Sequence, residues 1–415
     1  MNRHDALERE LTAWFSDTAM PRTPDYTTDI VQLTATVRQR PGWAFPERWL
    51  PMSVITLGRR TFAPFPWRTV GLLAVLALLL AAAVAFYVGN RSRLPAPYGL
   101  AANGLVAYAK DGDILTVDPA TGAHQAVTSG PEEDQEPRWS LDGTRIAFLR
   151  GSLDIDSKAR LVIVDRQANV IAQTVVVEGV DSDSVAWSPD GRSITLAGGA
   201  VNQRRTLYLV DAADGSVTPL AAAYEGLDVH WRPTDGRQLL VLGRTAEGVA
   251  LLMVDVNDPT AVQTVARAGA GETLRPAGWT PDGRRVLYSR SPADSNGEAI
   301  ERETRTHVLD LTMGSEVVID AGFPHVSNDG MRIVALDEAG LPCVASIEGG
   351  ACIQIGSQAY AGSHAAGASW APNDEFVMVR LANSSRTILL DPAGGTNLQP
   401  TWIEDGAESW QRLAP

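Results

Sequence analysis

Short apolar runs separated by turn-forming residues recur along the chain from residue 104 to its end. In one unit, Trp139 is followed by Ser-Leu-Asp-Gly, the apolar run 145–149 (RIAFL) and, after a loop, the run 161–165 (LVIVD). Apolar runs of roughly four to eight residues between turns are typical of β-strands. With an outer strand added, each unit is predicted to contain four strands.

The stretch Trp187-Ser188-Pro189-Asp190-Gly191 is the clearest copy of a repeated motif. Ser and Pro suit the first two positions of a type I turn, and Gly suits the left-handed conformation that follows. The Trp position recurs at Trp139, Trp187, Trp231, Trp279, Trp370 and Trp410, with Val326 standing in for a seventh Trp. The spacings of 40 to 48 residues match the roughly 40 to 50 residues of a propeller blade. We therefore predict an all-β fold, a seven-bladed β-propeller of four-stranded blades, with the Trp side chains packed between blades.

The first and last units are each incomplete. Residues 104–128 supply three strands without a Trp strand, and residues 408–413 supply a Trp strand with nothing after it. We predict that the two pieces form one blade, which closes the ring and removes exposed sheet edges.

The turn WSPDGRSI at 187–194 and the run LYLVD at 207–211 resemble the repeats of TolB-like, or WD40-like, propellers. The resemblance covers residues 100–415. It implies a periplasmic or cell-surface interaction module, and in some members the non-catalytic propeller of a peptidase.

Residues 70–88 form an uninterrupted run of 19 residues without charge. At about 1.5 Å per helical residue such a run nearly spans a bilayer core of roughly 30 Å. We therefore predict a transmembrane helix at 69–89, in preference to a buried core helix or a cleaved signal peptide. More Arg residues precede than follow the run, which places residues 1–68 in the cytoplasm. A linker at 90–103 and an extracytoplasmic propeller at 104–415 follow.

The cytoplasmic segment shows two helical patterns. One face of a first helix carries Leu7, Leu11, Trp14 and Phe15, and a second helix is predicted to begin at Thr23. The mixture of Arg, Pro and aromatic residues at 40–51 resembles the juxtamembrane cytosolic segments of some bacterial membrane-anchored anti-sigma-like proteins. A membrane-associated tail without signalling is the alternative.

The net charge of −14 is concentrated in the predicted exterior domain and argues against nucleic acid as a partner. The six His residues are scattered, and the chain contains neither a Gly-x-Ser-x-Gly elbow nor a phosphate-binding Gly loop. We therefore predict no catalytic residues, metal site or cofactor, and a non-enzymatic module that binds a protein or envelope ligand. The alternative is an enzyme whose active site is built from loops on one propeller face.

Two loops are longer and more charged than their equivalents, at 150–160 and 290–304. Both connect the second and third strands of their units, so they should emerge on the same face. Their acidic residues define the candidate binding face: Asp154, Asp156, Asp294, Glu298, Glu301 and Glu303. Such a face favours a cationic protein patch or a metal-bridged ligand.

Cys343 and Cys352 flank a predicted hairpin turn at Gly349-Gly350. Opposite positions on a hairpin bring side chains together, and an exterior compartment permits oxidation. We predict a disulfide, with two buried free thiols as the alternative.

Overall fold

The computed structural model describes residues 8, 10–13, 71–78, 80, 96–154, 157–199, 205–220, 228–234, 236–356, 365–382, 387–394 and 408–414. The chain divides into two compact units, Met1–Arg91 and Ser92–Pro415. All the sequence repeats belong to the second unit.

In the first unit, residues 8 and 10–13 are helical, and so are residues 71–78 and 80 within the predicted span. Leu72 and Leu78 on the latter segment are exposed by 72% and 70%. Within the described ranges, no helix has the length and hydrophobicity needed to cross a membrane. The rest of the predicted 69–89 span and the predicted helix from Thr23 lie outside the described residues.

The second unit consists of seven antiparallel sheets, which confirms the predicted seven-bladed propeller. The first blade contains β28 (Glu408–Leu413), β1 (Ala102–Lys110), β2 (Asp113–Val117) and β3 (His124–Ala126). The second contains β4 (Asp134–Trp139), β5 (Arg145–Gly151), β6 (Lys158–Asp165), β7 (Val170–Gln173) and the short β8 (Val177–Glu178), which also pairs with β6. The third contains β9 (Asp181–Trp187), β10 (Ser193–Gly198), β11 (Thr206–Asp211) and β12 (Val217–Pro219).

The remaining blades repeat this order. The fourth contains β13 (His230–Trp231), β14 (Gln238–Thr245), β15 (Gly248–Asp255) and β16 (Asp258–Arg267), and the fifth contains β17 (Glu272–Trp279), β18 (Arg285–Pro292), β19 (Arg305–Asp310) and β20 (Glu316–Ile319). The sixth contains β21 (Gly322–Val326), β22 (Arg332–Leu336), β23 (Pro342–Ser346) and β24 (Ile353–Gln354). The described strands of the seventh are β25 (Ala365–Trp370), β26 (Val377–Leu381) and β27 (Thr387–Leu390).

The ring closes as the sequence predicts. β28 pairs antiparallel with β1, so that Trp410 lies opposite Val106. The same strand reaches the second blade, where the Ser409 hydroxyl accepts a hydrogen bond of 2.9 Å from the Trp139 backbone N–H. β1 begins at Ala102, two residues before the predicted start, because its first residues pair with the end of β28.

The repeated motif is architectural, as predicted. In the 187–191 copy, the Ser188 hydroxyl donates to Asp190 Oδ1 at 2.7 Å, and Gly191 adopts a φ of +66°. Trp187 is 5% exposed, and its indole N–H donates to the Arg138 carbonyl of the preceding blade at 3.0 Å. The indoles of Trp231, Trp279 and Trp370 make equivalent bonds to inner-strand carbonyls. Each of these Trp residues therefore joins two blades.

The hydrophobic core lies between neighbouring blades. In one cluster, Leu149 and Leu161 of the second blade pack with Ile194 and Val210 of the third. Because similar clusters lie between the other neighbouring blades, the blades form a rigid scaffold for the connecting loops.

The predicted disulfide between Cys343 and Cys352 is present. β23 pairs with β24 through Cys343 opposite Gln354, and the two Cys Cα atoms are 5.4 Å apart. This distance lies within the usual range for a disulfide.

Candidate functional site

The inner strands β28, β4, β9, β13, β17, β21 and β25 give the propeller two different faces. All seven begin at the same face, which also carries the connections between second and third strands, and we call this the open face. They end at the Trp-containing turns on the opposite side, which we call the closed face.

A pocket of about 980 Å³ opens on the open face, between the fourth and seventh blades. Its size falls within the usual range for small-molecule pockets. Its polar lining includes residues of three inner strands and of the loop before β13: Asp228, His230, Arg275 and His325. Much of the opposite wall consists of small residues at the start of β25 and the end of β26: Ala365, Ala366, Gly367, Ala368 and Ala382.

We call the lining residues Asp228, His230, Arg275 and His325 the polar wall, and Arg275 lies at its centre. Its Nε is 2.6 Å from Asp228 Oδ2, its Nη2 is 3.6 Å from Asp183 Oδ2, and its guanidinium carbon is 5.9 Å from the Phe323 ring centre. Burial lowers the pKa of Arg275, but attraction to Asp228 and Asp183 outweighs it, so the net shift is upward. Burial, followed by repulsion from Asp228, raises the pKa of Asp183. One guanidinium therefore faces two carboxylates.

Two His side chains lie beside this group. Burial lowers the pKa of His230, and Asp228 only partly offsets the effect. Burial and the adjacent His230 lower the pKa of His325. The Nε2 atom of His230 is buried and has no hydrogen-bond partner in the part of the chain that the structure describes. Both imidazoles are consequently neutral near pH 7, and one of them has an unsatisfied polar atom.

The backbone around the pocket departs from ordinary strand geometry. Asp228 has a φ of +49° and Phe323 a φ of +54°. Asp tolerates this left-handed region better than most residues, whereas a bulky aromatic residue is disfavoured there. Phe323 lies in a bulge of β21, and its N–H donates to the Ser289 hydroxyl at 3.2 Å. The bulge directs β21 towards the pocket at a cost in backbone energy.

The structure places only some of the acidic residues of the predicted binding face beside a pocket. Glu301 lines the pocket, and Glu303 borders a neighbouring depression with Arg302 and Glu338. Both belong to a short 3₁₀ turn at Glu301–Glu303 in the connection between β18 and β19. That connection lies on the open face, as does the equivalent one between β5 and β6.

The other described acidic residues of the predicted face stabilise turns or lie away from the pocket lining. Asp294 Oδ1 accepts backbone N–H groups of Asn296 and Glu298 at 2.8 and 2.9 Å. Asp154 Oδ2 accepts the Ser152 hydroxyl at 2.9 Å in the equivalent connection of the second blade. Asp156 lies outside the described residues.

Sequence reasoning missed the polar wall. Asp183 and Arg275 each stand four residues before the Trp of their inner strand, and His230 and His325 each stand one residue before the Trp position. A polar residue immediately before the conserved buried position of a repeat was the available signal. Within the described ranges, no three His, Cys, Asp or Glu side chains are grouped as metal ligands.

No family model matches the chain, and no curated protein matches it by sequence. Solved structures of similar fold include an oligogalacturonate lyase in complex with manganese, 15% identical, with a TM-score of 0.50 over 69% of this chain and 86% of the lyase. TolB from Acinetobacter baumannii is 16% identical, with a TM-score of 0.44 over 74% of this chain and 66% of TolB, so the chain spans just under two thirds of that protein. A putative TolB from Agrobacterium tumefaciens is 17% identical, with a TM-score of 0.41 over 76% of this chain and all of that one. The similar structures include TolB proteins, as the repeats predicted, and at these identities the likeness is one of β-propeller fold alone.

Proposed function

We propose that this chain is a membrane-tethered binding module whose partner engages the open face of the propeller. The observation that carries the proposal is the pocket: a concave site of about 980 Å³, built on rigid inner strands and bordered by Glu301, Arg302 and Glu338. Binding residues are commonly held on loops by a stable scaffold, which is the arrangement here. The partner is a protein or an envelope ligand rather than a nucleic acid, because the rim is rich in carboxylates.

The tether is residues 69–89, with the N-terminus in the cytoplasm and the propeller outside. The exposed Leu side chains of residues 71–78 and 80 support this proposal, because an apolar helical surface is stable in lipid rather than in water. Single Cys residues at Ser129 and Ser16, labelled with an impermeant maleimide in intact cells, test the orientation. We expect labelling at 129 only; labelling at 16 alone would reverse the topology.

The face is tested by recovering partners on the full-length chain from solubilised membranes. We expect binding to be lost when Asp154, Asp156, Asp294, Glu298, Glu301 and Glu303 are changed together to Asn or Gln. The matched control changes six acids on turns of the closed face: Asp118, Asp165, Asp190, Asp214, Asp258 and Glu348. If both variants bind with the affinity and salt dependence of the native chain, the open-face loops are not the site.

The second candidate function is an enzyme with its active site in the same pocket. The observation that favours it is a neutral His230 with an unpaired Nε2 beside Arg275, since a neutral imidazole near a cation suits proton transfer. Mass spectrometry of any recovered ligand separates the two functions. A ligand altered by the native chain but left intact by the His230→Gln variant would establish the enzyme and exclude a purely binding role.

A further inference from the structure

The pocket contains a hydrogen-bond acceptor without a donor. The Pro276 backbone acts on His230 as a hydrogen-bond acceptor that raises its pKa, and the other ring nitrogen, Nε2, has no hydrogen-bond partner among the described residues. His230 Nδ1 faces β17, where a Cβ on Gly278 would lie only 3.4 Å from it. In the neutral ring Nε2 therefore carries a lone pair. A buried acceptor of this kind is costly until a donor reaches it.

The same wall has more negative than positive charge. Arg275 is shared between Asp228 and Asp183, and burial, followed by repulsion from Asp228, raises the pKa of Asp183. At the rim, Glu301, Asp337 and Glu338 outnumber Arg302. A ligand that donates hydrogen bonds and carries positive charge satisfies both the unpaired nitrogen and the surplus of carboxylates.

The rest of the pocket suits an apolar stem. The wall opposite Arg275 is formed by Ala365–Ala368 and Ala382, which leave room beside the polar groups and offer no further charge. Phe323 adds an aromatic ring to the same cavity. An aliphatic chain that ends in a charged nitrogen fits this division into an apolar and a polar wall.

We propose that the pocket binds an organic cation, a primary ammonium or guanidinium on an aliphatic stem, with its N–H groups directed to His230 Nε2 and its charge beside Asp228. Asp183, 3.6 Å from Arg275, adds to the negative potential. This inference rests on the proposed function, because it assigns a ligand class to the pocket of the same binding face. A lysine or arginine side chain of a protein partner and a free polyamine share this chemistry. An anionic ligand is disfavoured because Arg275 is already paired with two carboxylates.

The test uses the full-length chain in lipid nanodiscs and isothermal titration calorimetry. The probes are acetyl-Ala-Lys-Ala-amide and spermidine, and the matched control probe is acetyl-Ala-norleucine-Ala-amide, which keeps the stem but lacks the ammonium. We expect the norleucine peptide to bind about tenfold more weakly than the lysine peptide, as expected for one partly buried ion pair. A tighter lysine peptide identifies a protein side chain as the natural ligand, and a tighter spermidine identifies a free polyamine.

Two variants locate the bound cation. Asp228→Asn keeps a side chain that tolerates the left-handed conformation, and we expect it to weaken binding of the amine probes about tenfold, with Asp183→Asn acting in the same direction. The control, Asp214→Asn, removes the same charge from a turn of the closed face and should leave the affinity unchanged. Melting temperatures no lower than that of the native chain exclude a folding defect.

The proposal is overturned if neither amine binds, if the norleucine peptide binds as tightly as the lysine peptide, or if Asp228→Asn and Asp183→Asn both bind like the native chain. These outcomes leave the proposed function standing, because recovery of a partner and its loss in the six-acid variant do not depend on an amine probe. Loss of the partner in both six-acid variants or in neither counts against the open face itself.

Discussion

The open and closed faces of the propeller are formed by the two ends of the same inner strands, but each face holds an Asp residue of positive φ in a different way. On the closed face, Asp374 has a φ of +58°, and its carboxylate accepts hydrogen bonds of 2.8 Å from the backbone N–H groups of Asn328 and Asp329 and from the Asn328 amide. On the open face, Asp228 is similarly strained, yet His230 Nε2 beside it lacks a partner. Asp374 is held by donors of a neighbouring turn, whereas Asp228 is paired with Arg275 of the next blade and lies beside the unpaired His230 Nε2.

The closed face also joins the two ends of the propeller chain. Arg412 of β28 is 9% exposed, and its guanidinium donates to Asn328 Oδ1 at 2.7 Å and to the carbonyl of Gly99, which precedes β1. Strand β21 connects this network to the pocket, since His325 lines the pocket and Asn328 lies three residues further on. The inner strands therefore stabilise the closed ring at one end and leave their other end available for binding.

The largest expected effect comes from opening the ring. Deleting residues 406–415 removes β28 and leaves β1 with an unpaired edge, so we expect the free energy of unfolding to fall by more than ~4 kcal/mol. Denaturant unfolding followed by Trp fluorescence measures it. Deleting only residues 414 and 415, which follow β28, is the control. An unchanged midpoint in the longer deletion would contradict the closure.

Arg412→Ala tests the closed face without removing a strand. The change leaves Asn328 Oδ1 and the Gly99 carbonyl without their donor, and we expect a loss of about 3 kcal/mol in unfolding free energy. Arg192→Ala, which removes an exposed Arg from a turn of the same face, should cost less than ~0.5 kcal/mol. Hydrogen exchange of residues 96–101 should accelerate in the Arg412 variant only. Equal stability of the two variants would show that the network is dispensable.

Acid should weaken the propeller through the open face. His230 faces Asp228, Arg275 and His325, while His325 faces His230, Asp374 and Asp228. Because both folded-state pKa values are lowered, the unfolded chain takes up protons first as the pH falls below about 6.5, and stability is lost below that pH. Chemical unfolding at a series of pH values measures the loss. We expect a shallower dependence in the His230→Gln, His325→Gln double variant, and an identical slope would refute the assignment.

The smallest expected effect is a gain of stability at the pocket. Asp183→Asn removes a carboxylate whose pKa is raised by burial and by Asp228, so we expect the free energy of unfolding to rise at pH 7, by less than ~1 kcal/mol because the side chain is partly solvated. Thermal unfolding at pH 7 measures it, and Asp214→Asn is the control. A clear loss of stability in the Asp183 variant would mean that this carboxylate is structural.

The sequence predicted the parts of the fold that repeat or are local. The turn after Trp187 is specified by its own Ser, Pro, Asp and Gly residues, and its recurrence fixed the number of blades. The pairing of residues 104–128 with 408–413 followed from counting incomplete units, although it joins opposite ends of the propeller. Cys343 and Cys352 were predictable because a hairpin places them together within ten residues.

The candidate site depended on the tertiary structure. The acidic loop residues were visible from sequence because they are consecutive and charged, and Glu301 and Glu303 do border depressions on the open face. The polar wall was not visible, since Asp228, His230, Arg275 and His325 come from three blades and none forms a motif alone. Their sequence determined only that His230, Arg275 and His325 lie on inner strands. That these positions meet around one guanidinium, and that one imidazole nitrogen is left without a partner, was decided by closing seven blades into a ring, because burial and charge compensation depend on neighbours distant along the chain.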